Sequence, residues 1–136
     1  MRFMYIVTSP QPMQAPAPAL MEAIGKITER EVRAGRMIDN GGLMPLREGA
    51  RISVAGGKLS VTDGPFVEAK EVIGGYAIFE LRDKAEALAM AKEFMQLHVD
   101  HMPGWEGTCE MRAMIGHGTD MGCDQKAAIL AEAIQA

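Results

Sequence analysis

Cysteine is scarce here, two in 136 residues, and histidine scarcely less so at three. Two cysteines cannot staple a domain of this size, so the expected compartment is a reducing one, the cytoplasm. Basic residues are outnumbered, 14 Lys+Arg against 18 Asp+Glu, for a net charge of -4. A chain that neutralises phosphates needs the reverse balance, which excludes nucleic acid as a direct partner. No apolar run approaches the ~18–20 residues of a membrane-spanning helix, so no membrane partner is expected. The apolar stretch in Met1–Val7 is too short for a signal peptide. A nucleophile elbow, a phosphate loop, a dinucleotide fingerprint and a zinc-binding cysteine pair are all missing, which removes most common enzyme classes. What remains is acid–base chemistry in an apolar cleft, or binding alone, with no cofactor.

Methionine, by contrast, is abundant, with twelve spread from Met1 to Met121. The pairs Met1/Met4 and Met111/Met114 fall in strand-like segments, where residues three apart point to opposite faces and cannot chelate. Methionine as a flexible filler of the core is the reading that remains. Hydrophobic residues at 48% and charged ones at 24% are those of one globular domain.

Arg2–Thr8 reads as a strand stopped by Ser9-Pro10, followed by a proline-rich loop to Pro18. Leu20, Ile24, Ile27 and Ala34, with Met21 and Val32 beside them, predict a helix ending at Gly35. Met37–Met44 holds a short strand interrupted by Asn40-Gly41-Gly42. Ile52/Val54 and Leu59/Val61 alternate with serines around Gly56-Gly57, which predicts a hairpin pairing Val54 with Leu59 and Ile52 with Val61. Val72–Leu81 is a strand apolar on both faces, with Gly74-Gly75 suggesting a bulge. Asp83-Lys84-Ala85-Glu86 has capping-box spacing and opens a second helix. Cys109–Ile115 is the last strand, with Glu110 and Arg112 on one face. Without the inserted hairpin the order is β-α-β-β-α-β, an α+β, ferredoxin-like pattern whose two helices cover one face of the sheet. The other face needs a partner, and a second copy of the same sheet is the simplest one.

The run Asp63-Gly64-Pro65-Phe66-Val67-Glu68-Ala69-Lys70-Glu71-Val72-Ile73-Gly74-Gly75-Tyr76 closely resembles the signature of DGPF proteins, a branch of the YCII-related family. Leu97-His98, Pro103-Gly104-Trp105-Glu106-Gly107 and Glu110-Met111-Arg112 extend the resemblance, which covers residues 1–116 and departs at Ala113 and in the tail, 117–136. It implies a dimeric α+β barrel with a cleft between two sheets, and no settled activity for the branch. For the broader YCII group the resemblance implies enzyme chemistry by a proposed His–Asp pair in that cleft, but no histidine precedes His98 to match it. DGPF proteins are often encoded beside extracytoplasmic-function sigma factors. That implies an alternative, a dimeric ligand- or protein-binding module linked to transcription regulation.

Within this frame the leading expectation is a homodimer binding an anionic small molecule and catalysing isomerase- or lyase-like proton transfer. Asp63 either caps its turn or acts as a base at the cleft mouth. His98 is the candidate imidazole. Lys70, beside Glu68 and Glu71, and Arg112, beside Glu110, are candidate anion holders against the plainer reading of solvated charge. Glu68 and Tyr76 complete the substrate-binding set. His98/His101 and the set His117, Asp120, Cys123, Asp124 lack the spacing of a known site, so no metal is expected.

Asp124–Ala136 reads as a short Ala-rich helix with Leu130 and Ile134 four apart. Such a helix is marginal alone, so docking across the dimer or at the cleft rim is expected. Truncation after Gly116 should lower dimer stability by about 1–3 kcal/mol, the scale of burying one or two Leu or Ile side chains. Unchanged melting and dimer dissociation would make the tail an appendage.

Overall fold

The computed structural model describes residues 1–64, 70–116 and 121–136. In chain order it has β1 (Arg2–Pro10), α1 (Pro18–Arg33), β2 (Met37–Gly42), β3 (Ala50–Ala55), β4 (Lys58–Asp63), β5 (Glu71–Glu80), α2 (Lys84–His101), β6 (Thr108–Ala113) and α3 (Cys123–Gln135), with a 3₁₀ turn at Leu46–Glu48. Four strands form an antiparallel sheet in the order β2-β5-β1-β6, and β3-β4 form a separate hairpin. The arrangement is α+β with ferredoxin-like topology.

Alternation along the central strands sorts the side chains. Phe3 and Tyr5 on β1, with Phe79 on β5, are buried with Leu81 against Ile27 of α1 and Ala87, Met90 and Ala91 of α2. The Tyr5 and Phe79 rings meet edge-on at 5.2 Å, the favoured aromatic geometry. The Tyr5 hydroxyl donates to the Ala87 carbonyl at 2.7 Å, tying β1 to the first turns of α2. Burial pushes the Tyr5 hydroxyl well above the usual tyrosine range.

The expected strand ends shift by a few residues for local reasons. β1 continues past Thr8 to Pro10, opposite Glu71. β6 accompanies β1 only as far as Thr8, so the missing N–H of Pro10 is not needed on that side. The bulge sits where Gly74 is the extra residue, between the pairs Val7/Gly75 and Thr8/Ile73. Asp83 caps α2 by accepting from the Glu86 amide at 2.9 Å, whereas the Glu86 carboxylate reaches back to the Arg82 amide at 2.8 Å. Methionine fills the core less than expected: Met90 is buried, while Met1, Met21, Met44 and Met114 are exposed.

The buried stripe of α1 also differs from the apolar reading. Leu20, Ile27 and Glu31 are buried, whereas Met21 and Val32 are exposed, as is Ala34. Glu31 is completely buried because two guanidinium groups close on it. The helix ends with Gly35 at φ +70, its amide donating to the Val32 carbonyl and the Arg36 amide to the Glu31 carbonyl. That is the double hydrogen bond of a Schellman ending. It folds Arg36 back so that its Nε and Nη2 reach the Glu31 carboxylate at 2.5 and 3.0 Å. Arg30 adds a third bond at 2.9 Å and grips Glu93 of α2 with two more at 2.7 and 2.9 Å. The Arg36 hydrogen bonds hold the Glu31 carboxyl below its ordinary range, with burial opposing them.

Glu31→Gln should therefore cost about 2–3 kcal/mol near pH 7, the worth of charged hydrogen bonds to half-exposed guanidiniums. Because the folded-state value is depressed, this stabilisation is complete above the unfolded carboxyl value of about 4.3 and is lost as pH falls through the lower folded value. Urea unfolding at pH 7 and pH 3 checks both points. A wild-type and variant gap that is zero at pH 7, or that widens in acid, would contradict the account.

Candidate functional site

Among the described residues, no helix covers the second face of the four-stranded sheet. Its middle is apolar, with Met4 and Ile6 on β1 and Ile78 on β5, all half-buried. Register fixes what flanks them. Arg112 lies opposite Met4, Met4 opposite Ile78, and Ile78 opposite Asp39. In the next row Glu110 lies opposite Ile6, Ile6 opposite Tyr76, and Tyr76 opposite Gly41. With strands ~4.8 Å apart, Arg112 and Asp39 stand about 14 Å apart across an apolar floor.

At the β2 side, the Tyr76 hydroxyl donates to Asp39 Oδ2 at 3.1 Å. The ring reaches Asp39 by lying over Gly41, where an added Cβ would stand 2.8 Å from Tyr76 Cε1. Glycine at 41 is thus the space the tyrosine occupies. The hydrogen bond to Asp39 raises the Tyr76 hydroxyl above its ordinary value, so it remains a protonated donor. At the β6 side, Arg112 and Glu110 are exposed, and neither forms an ion pair among the described residues. The face therefore offers a tyrosine–carboxylate pair at one edge and, at the other, a guanidinium with no ion-pair partner among the described residues. These groups suit a small molecule with an anionic end and an apolar body.

The remaining candidates lie elsewhere. His98 follows Ala87, Ala91 and Phe94 along the inner stripe of α2, on the helix side of the sheet. Its ring packs against Phe94 and Trp105 at centroid distances of 4.9 and 4.5 Å, with Nδ1 3.2 Å from the Phe94 carbonyl. Burial pushes the imidazole below its usual value, which favours the neutral form. The Trp105 ring lies over Gly107, where an added Cβ would stand 2.2 Å from it. A cleft of about 190 Å³ opens beside Trp105, lined by Ser9–Pro12, Gln14, Gly104 and Glu106. Lys70 is exposed near it, its carbonyl accepting from the Gln11 amide at 3.0 Å.

Asp63 ends β4 opposite Ala50, at the base of the hairpin. Gly64 follows, so close to the 3₁₀ turn that an added Cβ would overlap the Leu46 carbonyl. Glu68 lies outside the described residues. Of the candidates, the structure brings Tyr76 and Arg112 to one face, and His98 is not on it. Asp39 is the residue that the sequence reading missed. The run Asp39-Asn40-Gly41-Gly42 reads as a broken strand, yet it remains in the ladder and makes room for an aromatic ring.

No curated protein matches the chain. Residues 1–95, more than two thirds of the length, match the YCII-related domain, spanning β1 through most of α2 and so both the open face and the hairpin. The chain belongs to the YCII-related domain family.

Proposed function

We propose that two copies of the chain pair through their open sheet faces and bind an anionic small molecule in the cleft between them. Arg112 anchors the anion, and the Tyr76 hydroxyl, its proton given to Asp39, accepts from the ligand's polar end. The observation that carries this reading is an uncovered apolar floor with a guanidinium at one edge and a tyrosine–carboxylate pair at the other. The signature from Asp63 to Tyr76 supports the finer placement in the DGPF branch and with it the dimeric barrel. Proton transfer of the isomerase or lyase kind falls to a carboxylate, with Asp39 the one already held on the face by Tyr76. His98, neutral and walled in by two aromatic rings, serves packing in this reading.

Binding without turnover is the second reading, favoured by the same burial of His98 away from the face. Native mass spectrometry of freshly purified protein reads a retained metabolite and the oligomer together. With succinate as a dicarboxylate probe, Arg112→Ala should weaken binding at least ~10-fold in calorimetry, since guanidinium–carboxylate pairing sets the anchor. Asp39→Asn should bind a retained metabolite normally and lose ~10²–10⁴-fold in turnover if the carboxylate is the base. Equal succinate affinity in wild type and Arg112→Ala would refute the anchor.

A further inference from the structure

The β3–β4 hairpin has a face that nothing among the described residues buries. Ile52 pairs with Val61 and Val54 with Leu59, and the four side chains are 63%, 68%, 74% and 74% exposed. Arg51, Ser53, Lys58, Ser60 and Thr62 occupy the opposite face, so the ribbon alternates as if one side were covered. A lone two-stranded hairpin is marginally stable in water, and a contiguous exposed apolar patch marks an interaction site.

Area argues for the occupant. The open face is four strands wide, about 19 Å, and about 20 Å long over the six residues of its edge strands. That footprint, about 400 Å², falls well short of the ~800 Å² that each partner gives to a stable interface. Each copy would also give its own ribbon face, about 10 Å by 20 Å, and an equal patch that receives its partner's ribbon, which together bring the footprint to about 800 Å². Charge points the same way. Asp63 lies on the same face as Leu59 and Val61, at the end of the apolar row, and the open sheet face carries in Arg112 a cation with no ion-pair partner among the described residues.

We infer that the hairpin is an arm laid, apolar face down, on a second copy of this chain, and that it carries Asp63 to the rim of that copy's ligand face beside Arg112. The inference rests on the proposed pairing of sheet faces and deepens it. Each site is then shared, with Tyr76, Asp39 and Arg112 from one copy and Asp63 from the other.

Sedimentation equilibrium of the wild type and of Val54→Lys/Leu59→Lys tests the arm, with circular dichroism confirming that the variant protomer folds. The variant should dissociate at least ~100-fold more readily, the scale of losing two buried aliphatic side chains per arm. Amide exchange over residues 50–63 should be slow where the wild type is dimeric and fast on dilution to monomer. Asp63→Lys should weaken the dimer about 10-fold, and adding Arg112→Glu should restore it, as expected for charges meeting across copies. A wild-type dimer with a fast-exchanging hairpin and an unchanged variant would overturn the arm while leaving the sheet pairing intact. A wild-type monomer would overturn both. Slow exchange in a monomer would assign the hairpin's cover to its own chain, for example α3, and would also overturn the arm.

Discussion

Phe3 and Tyr5 face the helices from β1, while Met4 and Ile6 on the same strand face away from them, and β5 repeats the division with Phe79 against Ile78. A sheet that is apolar on both sides needs two covers, and the two long helices supply one. From this constraint follow both the core and the candidate site. The helix side holds the edge-on Tyr5–Phe79 pair and the Tyr5 bond to α2. The uncovered side keeps its polar groups at the edges, where Asp39 with Tyr76 and Glu110 with Arg112 flank the hydrophobic middle. Among the described residues, no helix is long and apolar enough to cross a membrane, so that side is not accounted for by a spanning helix.

The helix layer has its own keystone in a carboxylate. Glu31 occupies a buried position on α1 and is tolerated there because the Schellman ending returns Arg36 onto it and Arg30 bridges it to Glu93. The Arg36 carbonyl then accepts from the Glu80 amide at the end of β5. One charged group thus links α1, the entry to β2, α2 and the sheet. Removing it leaves two guanidiniums without their shared partner, which is why the effect exceeds that of an exposed pair.

Period-two alternation made the hairpin legible residue by residue, since a shift by one would have placed serine against valine. The same alternation sorted Tyr76 from Phe79 and Arg112 from Met111 onto the correct faces. Periodicity failed on α1 because it counts apolar side chains, and the buried residue there is an acid whose partners lie one residue before it and five after. Asp39 was illegible for a related reason. Its role depends on Tyr76, 37 positions later, and on a glycine that matters for the volume it leaves open. His98 was legible as a polar residue at a helix end, but its place on the stripe of Ala87, Ala91 and Phe94 carries the more consequential signal. Spacing of four, three and four puts it with the core.

The central claim is that a second copy covers the open face, and the mass in solution tests it most directly. Sedimentation equilibrium at micromolar concentration should give twice the chain mass of 14.7 kDa. Placing a charge at Ile6, in the middle of the face, should return the protein to the monomer mass with its helix content intact. A wild-type protein that sediments as a compact 14.7 kDa monomer would contradict the account.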